Sequence, residues 1–238
     1  MKAPMCEGSD CKALMCEGAD CIAPKCEDVE GLLVIDYNDI PDAYAGAIKY
    51  CYDNGQLRIK INFLNGKYEG EWLWYHENGT ISVIGNYVKG EKEGKWIEYN
   101  DNGQLSYEYN FKDGKREGEE VLYYENGQLW WKGNHVNGER DGEWFLYREN
   151  GHLQVKRNYV NGKKEGGIVW YFSNGQVQKK GSHVNGELDG EWFWYRENGK
   201  LTQKGNYVRG KEEGEWKFYD RHGDLKVIRT YKNGKLIN

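Results

Sequence analysis

A glycine returns every 24 residues through most of this chain, with no insertion or deletion to break the count: Gly55, Gly79, Gly103, Gly127, Gly151, Gly175, Gly199 and Gly223. A second series in the same step includes Gly66, Gly90, Gly162 and Gly234, and a third runs Gly70, Gly94, Gly118, Gly142, Gly166, Gly190 and Gly214. A fixed period between about 20 and 50 residues marks a repeat architecture in which each unit buries its apolar surface on its neighbours. Such an array spreads its residues along a line, which argues against one deep catalytic pocket.

Each unit holds two short aromatic or β-branched runs, as at residues 71–76 and 80–88, separated by Asn78-Gly79. Asn-Gly between two such runs predicts a hairpin with a type I′ turn, because both residues tolerate positive φ. The second connection, as in Asn161-Gly162-Lys163-Lys164-Glu165-Gly166, reads as a wider turn. Helix is excluded, since several glycines per unit would each cost about 1 kcal/mol. The fold class is therefore all-β, an elongated antiparallel meander or solenoid of stacked hairpins, in which seven units extend about 65–70 Å.

Within the strands, Tyr75, Tyr99, Tyr123, Tyr147, Tyr171, Tyr195 and Tyr219 hold one position without exception. Three residues earlier stand Trp72, Trp96, Trp144, Trp192 and Trp216, with Glu120 and Ile168 as the departures. After the Asn-Gly turn comes an aliphatic residue such as Leu57 or Ile81, and six residues on a ring such as Phe63 or Tyr87. An even spacing predicts that the aliphatic and the ring share one face. The odd Trp-to-Tyr spacing leaves two options, a bulge in the strand or a sheet covered on both faces. Exposed Trp and Tyr ladders are expected to form the contact surface, as such residues dominate binding hot spots.

The pattern Tyr-x-x-Asn-Gly-x-Leu followed by Asn-Tyr-Val-x-Gly-Lys-x-Glu-Gly-Glu-Trp-x-x-Tyr, as read from Tyr195 to Tyr219, resembles the MORN repeat, in the variant form common in bacteria and some large DNA viruses. The resemblance covers residues 50–238, and the Gly-x-Trp-x-x-Tyr core returns in phase in five units, beginning at Gly70, Gly94, Gly142, Gly190 and Gly214. It departs from the standard MORN unit in its length and its Asn-Gly hairpin. What the resemblance implies is an open sheet of stacked hairpins serving as a spacer or binding platform. Membrane-lipid binding, protein binding and an antitoxin role are all ascribed to such arrays. Residues 126–172 and 174–220 are close copies 48 apart, so the array grew by duplicating two-unit blocks.

Charge and cysteine divide the chain near residue 50. Residues 1–48 carry ten acidic and three basic side chains, whereas the remainder is close to neutral with 28 acidic and 30 basic. A mixed array offers no basic stripe along the sequence, so no nucleic-acid partner is expected. Three prolines and no long apolar run exclude collagen-like and transmembrane-helix readings. Nothing near Met1 resembles a signal peptide, and a cytoplasmic location is expected. The organisation reads as a Cys-rich acidic leader over 1–30, a cap or transition over 31–50 and the repeat array over 51–238. In the transition, Leu32–Ile35 reads as a strand and Pro41–Ala47 as a turn or short helix.

In the leader, Cys6, Cys11, Cys16, Cys21 and Cys26 recur every five residues. Successive residues at that step rotate by about 140° on a helix and form no stripe. Three readings stand: a weakly ordered duplicated leader, a zinc site at the loose end of ligand spacing, or a small coil. Disulfides are disfavoured by the expected reducing compartment. Elsewhere the candidate chemistry is sparse. His76, His135, His152, His183 and His222 have no ligand series beside them, and two of them sit where a ring usually packs. The carboxylates Glu69, Glu93, Glu117, Asp141, Glu165, Asp189 and Glu213 recur once per unit before a glycine, which points to turn stabilisation or a solvated edge. No catalytic residue and no cofactor other than leader zinc is expected, and the chain reads as a non-enzymatic scaffold for a protein partner, with peripheral membrane binding as the alternative. No oligomeric state is assigned.

Overall fold

The computed structural model describes residues 43–238; the leader cysteines and the expected Leu32–Ile35 strand lie outside the described residues. Nineteen strands and no helix make up the described residues. β1 (Gly46–Cys51) and β2 (Leu57–Leu64) form the first hairpin. They are followed by β3 (Lys67–Tyr68) and β4 (Gly70–Tyr75), two halves of one strand interrupted at Glu69. Next come β5 (Ile81–Val88), β6 (Glu91–Tyr99), β7 (Leu105–Lys112) and a second interrupted strand, β8 (Lys115–Arg116) with β9 (Gly118–Tyr123). β10 (Leu129–Val136), β11 (Glu139–Tyr147), β12 (Leu153–Val160), β13 (Lys163–Tyr171) and β14 (Val177–Val184) continue without interruption. β15 (Glu187–Tyr195), β16 (Leu201–Val208), β17 (Lys211–Tyr219), β18 (Leu225–Lys232) and β19 (Lys235–Leu236) end the order. Counting each interrupted strand once, every strand pairs antiparallel with its predecessor and successor, giving one open sheet. The segment expected as turn or short helix is already strand at Gly46.

The two kinds of turn exchange the roles expected of them. Val88 pairs with Glu91 across a two-residue loop, and both loop residues, Lys89 (φ 52) and Gly90 (φ 90), have positive φ. This is the type I′ hairpin, and it recurs at residues 65–66, 113–114, 137–138, 161–162, 185–186, 209–210 and 233–234. The Asn78-Gly79 connection is instead a three-residue loop: the Gly79 N–H donates to the His76 carbonyl and the His76 N–H to the Thr80 carbonyl, and only Gly79 has positive φ. Asparagine is selected there for its amide. Its Oδ1 accepts the Thr80 N–H at 2.9 Å while its Nδ2 donates to the Asp101 carbonyl of the next unit at 2.7 Å. The correction has a physical cause, since Asn-Gly suits both turn types and the strand register decides between them.

Successive units are fastened through the I′ turns. The Glu69 carboxylate accepts the Lys89 N–H at 2.8 Å, and the Tyr68 carbonyl accepts the Gly90 N–H at 2.9 Å. The carboxylates of Glu93, Glu117, Asp141, Glu165, Asp189 and Glu213 repeat that bond to the turn 20 residues on. Two outward-pointing turn N–H groups are thereby satisfied by the preceding unit. Replacing Glu165 by alanine should lower stability by about 1–2 kcal/mol, because a charge-assisted bond to the Asn185 N–H is lost. Urea unfolding of E165A checks this, and a loss below a few tenths would show that water replaces the carboxylate.

Register irregularities create two distinct faces. Ile84 pairs with Ile97 and Asn86 with Glu93, so Gly94, Lys95 and Trp96 together oppose Gly85. Gly94 occupies that bulge with φ 70, and its 24-residue series does the same in the other units. A smaller slip follows where Glu98 pairs with Tyr107 but Tyr99 with Leu105. That slip separates residues expected to share a face: Leu57 packs with Tyr75, while Ile59, Ile61 and Phe63 form another cluster. Between the two irregularities, Trp96 and Tyr99 alternate to opposite faces. The sheet therefore carries a Trp face and a Tyr face, each with its own core, and it also carries the bulges.

A cation–aromatic face interrupted by a buried carboxylate

On the Trp face the recurring indoles are buried, not exposed as expected: Trp96, Trp144, Trp192 and Trp216 are 2–4% accessible. Each lies flat over a glycine of the neighbouring strand. A Cβ built on Gly85, Gly133, Gly181 or Gly205 would stand 2.1–2.2 Å from an indole carbon. These glycines have no positive φ and serve only to leave room. Trp72 of β4, which meets Ile61 instead of a glycine, is only half-buried. On the Tyr face, Tyr75 is buried, whereas Tyr99, Tyr147, Tyr195 and Tyr219 are half-buried. Their backbone carbonyls are stapled by the preceding unit, as when the Tyr52 hydroxyl donates to the Tyr75 carbonyl and His76 Nε2 to that of Tyr99. Gly70, Gly142, Gly190 and Gly214 hold the bulge positions and Gly79 the three-residue turn.

The units that lack the Trp also lack the glycine. Tyr109 stands where the glycine would be and Glu120 where the Trp would be; one block later the pair is Arg157 and Ile168. Glu120 is 3% exposed. Its Oε1 accepts from the Tyr107 hydroxyl and from Arg116 Nη1, and Arg116 also donates to Tyr107 at 2.6 Å. His135 Nδ1 lies 3.0 Å from Glu120 Oε2, without the alignment of a hydrogen bond. Burial pushes the Glu120 carboxyl up to about 7, with Arg140 pulling the other way. Burial, then Arg116 and Arg140, holds the His135 imidazole down at about 4, so it is neutral at pH 7. The raised Glu120 value removes stability as pH rises from its ordinary 4.5 to 7, and the lowered His135 value removes stability as pH falls from 6.5 to 4. The two slopes oppose each other where they overlap. E120Q deletes one, so its stability deficit relative to the parent should grow as pH is lowered from 7 towards 4.5. Denaturant midpoints across that range test it, and a constant deficit would show an unperturbed carboxyl.

Next to the buried Trp row runs a half-buried one. Trp131 stacks on Trp144 at 5.0 Å, Trp170 tilts against Trp192 at 5.8 Å and Trp194 against Trp216 at 5.5 Å. A shallow cavity of about 180 Å³ opens here, lined by Trp130, Trp131, Arg140, Trp144, Phe145, Leu146 and Arg157. Cations lie on the rings: Lys92 Nζ is 4.0 Å from the Trp96 centroid, the Arg140 guanidinium 4.4 Å from that of Trp144 and Lys179 Nζ 4.1 Å from that of Trp170. Sequence reasoning missed these positions because it followed the residues that recur. The available signal was the paired departure at 109 and 120.

Eight consecutive stretches, from residues 46–65 to 212–233, match the model of the MORN repeat variant. The chain belongs to the MORN repeat variant family. The first matched MORN stretch begins at Gly46, so β1 lies within the array. A search of curated proteins returns no significant match. Among solved structures, the alignment to TcdB2-TccC3 has 12% identity and a TM-score of 0.21, covering 80% of this chain and 15% of that one. That to the GtfA/B complex bound to UDP and GlcNAc has 12% identity and a TM-score of 0.17, covering 65% and 28%. A porin-like protein from Bacteroides uniformis aligns with 10% identity and a TM-score of 0.19 over 82% and 93%. This MORN chain thus spans less than a third of the first two, and at such scores none of the three bears on its function.

Among the described residues, no group of three or more His, Cys, Asp or Glu side chains is arranged to hold a metal ion. The five leader cysteines expected as zinc ligands lie outside the described residues. No helix among the described residues is long and apolar enough to cross a membrane.

Proposed function

We propose that this MORN array is a non-enzymatic, cytoplasmic scaffold that holds a protein partner on its Trp face. The observation that carries the reading is the half-buried aromatic row of Trp131, Trp170 and Trp194, which lies in ring contact with the buried indoles behind it. Rigid aromatic side chains on a fixed sheet are the residue type that dominates protein-binding energy, because little entropy is lost when a partner covers them. The buried Trp ladder supports that row from beneath.

The test is affinity capture from the native host with the full chain and with W170A/W194A. A partner retained by the parent and released by the double variant, with both proteins folded by circular dichroism, is the expected result. Retention by both would move the contact surface elsewhere. Flotation with anionic vesicles at physiological salt should leave the protein in the soluble fraction, since carboxylates border both turn edges of the sheet.

A further inference from the structure

The Trp face gathers cations, some within the period and some departing from it: Arg140 and Lys164 continue the 24-residue series of Lys92 and Arg116, whereas Arg157 and Lys179 stand where other units have a glycine or an apolar residue. Four consecutive strands each contribute one: Arg140 from β11, Arg157 from β12, Lys164 from β13 and Lys179 from β14. The pairings His135 with Arg140, Trp144 with Arg157, Tyr159 with Lys164 and Lys179 with Trp194 place all four on this face. At about 4.8 Å per strand they form a track across the sheet. Each is half-buried, and three of them lie on rings, Arg157 at 5.7 Å from the Tyr159 centroid. Among the described residues none of the four has a carboxylate within 4.0 Å, although Lys95, Arg116, Lys156 and Lys217 each do. Partly desolvated cations with no carboxylate in ion-pair contact favour an anionic ligand, as the desolvation cost is already met by the fold, and of the four only Arg140 also acts on the buried Glu120 carboxyl. Their field is felt nearby, since Lys164 and Arg157 help burial hold the His183 imidazole below its ordinary value.

We infer that this track docks an extended acidic segment of the protein partner, with one of its carboxylates seated between Arg140 and Arg157 over Trp144. The inference rests on the scaffold reading and specifies the partner's chemistry. The cavity of about 180 Å³ has both Arg140 and Arg157 in its lining, which suits an Asp or Glu side chain. The indole N–H of Trp144 has no acceptor, and neither has that of Trp96 or Trp216, so it adds a donor without adding selectivity. Acidic residues border the track at both turn edges: Glu117, Asp141, Glu165 and Asp189 along one and Glu149 and Glu197 along the other. A flat anionic membrane would meet those rims first, whereas a narrow strand with alternating carboxylates about 7 Å apart fits between them.

The probe is a fluorescein-labelled alternating Glu-Ala peptide of about ten residues, its side chains alternating in the extended state. Anisotropy is read with the full chain at physiological salt. The parent should bind, R140Q/R157Q should lose at least about tenfold in affinity, and K180Q/K204Q should stay within about twofold. The second pair removes the same charge from the opposite face, where both lysines flank Phe193. Matching thermal midpoints exclude unfolding as the cause. Equal losses in both double variants, no binding by the parent, or stronger binding to oligouridylate or phosphatidylserine vesicles would each overturn the inference. A partner captured by the parent and retained by R140Q/R157Q would refute the acidic track while leaving the scaffold standing. A partner retained by W170A/W194A would instead refute the scaffold surface.

Discussion

Replacing Gly205 by valine should destabilise the array by about 3 kcal/mol, the upper range for overpacking a closed site. The Cβ would stand 2.1 Å from Trp216 Cδ2, an atom fixed within a ring that is 4% exposed. Backbone strain does not contribute, because Gly205 is not in the positive-φ region. The loss should therefore belong to the contact alone. Trp216→Ala costs about 3–5 kcal/mol by itself through the cavity it leaves. In G205V/W216A the valine fills part of that cavity, so the double variant should be more stable than the sum of the two losses by at least about 2 kcal/mol. Urea unfolding of the four proteins completes the cycle. Strict additivity would show that the glycine and the indole do not share one space.

The second large effect concerns the interrupted unit. Introducing tryptophan at Glu120 restores the recurring residue but not the space for it, since Tyr109 occupies the place of the glycine and packs on Trp96 with parallel rings at 6.4 Å. E120W alone should lose about 3 kcal/mol from overpacking and from stranding Arg116. Y109G alone should lose about 3 kcal/mol through its cavity. Together they rebuild the arrangement seen at Gly133 and Trp144, where Arg140, one step on from Arg116, lies on the indole at 4.4 Å without a carboxylate, so E120W/Y109G should return to within about 1 kcal/mol of the parent. A double variant as unstable as the sum of its parts would show that Arg116 and His135 need the carboxylate more than the unit needs its indole.

Both predictions draw on a complementarity that was written in the sequence and is easily overlooked there. Gly85, Gly133, Gly181 and Gly205 precede Trp96, Trp144, Trp192 and Trp216 by eleven residues, and the departures Tyr109 and Arg157 precede Glu120 and Ile168 by the same step. Periodicity directs the eye to invariant positions such as Tyr75 or Gly79, and these have turn and strand duties. The cation track was invisible for a related reason. Arg140 and Lys164 lie one 24-residue step apart but Arg157 and Lys179 follow no series, and only antiparallel pairing brings the four onto adjacent strands of one face.

The turns show where local chemistry stops being informative. Asn-Gly at 78–79 and Lys-Gly at 89–90 both tolerate a left-handed backbone, yet the less typical pair forms the I′ turn. The choice follows from pairing Val88 with Glu91 across two residues and His76 with Thr80 across three, which is a property of two strands together. By itself the 24-residue step determined an all-β array of stacked hairpins, the positions of its turns and its family, because glycine, asparagine and strand-forming residues act over a few neighbours. Only the tertiary structure decided which side chains lie under others. Burial of the indoles, the separation of Leu57 from Phe63 and the gathering of unpaired cations all depend on register across the bulges, where a slip of one residue reverses the face on which a side chain falls.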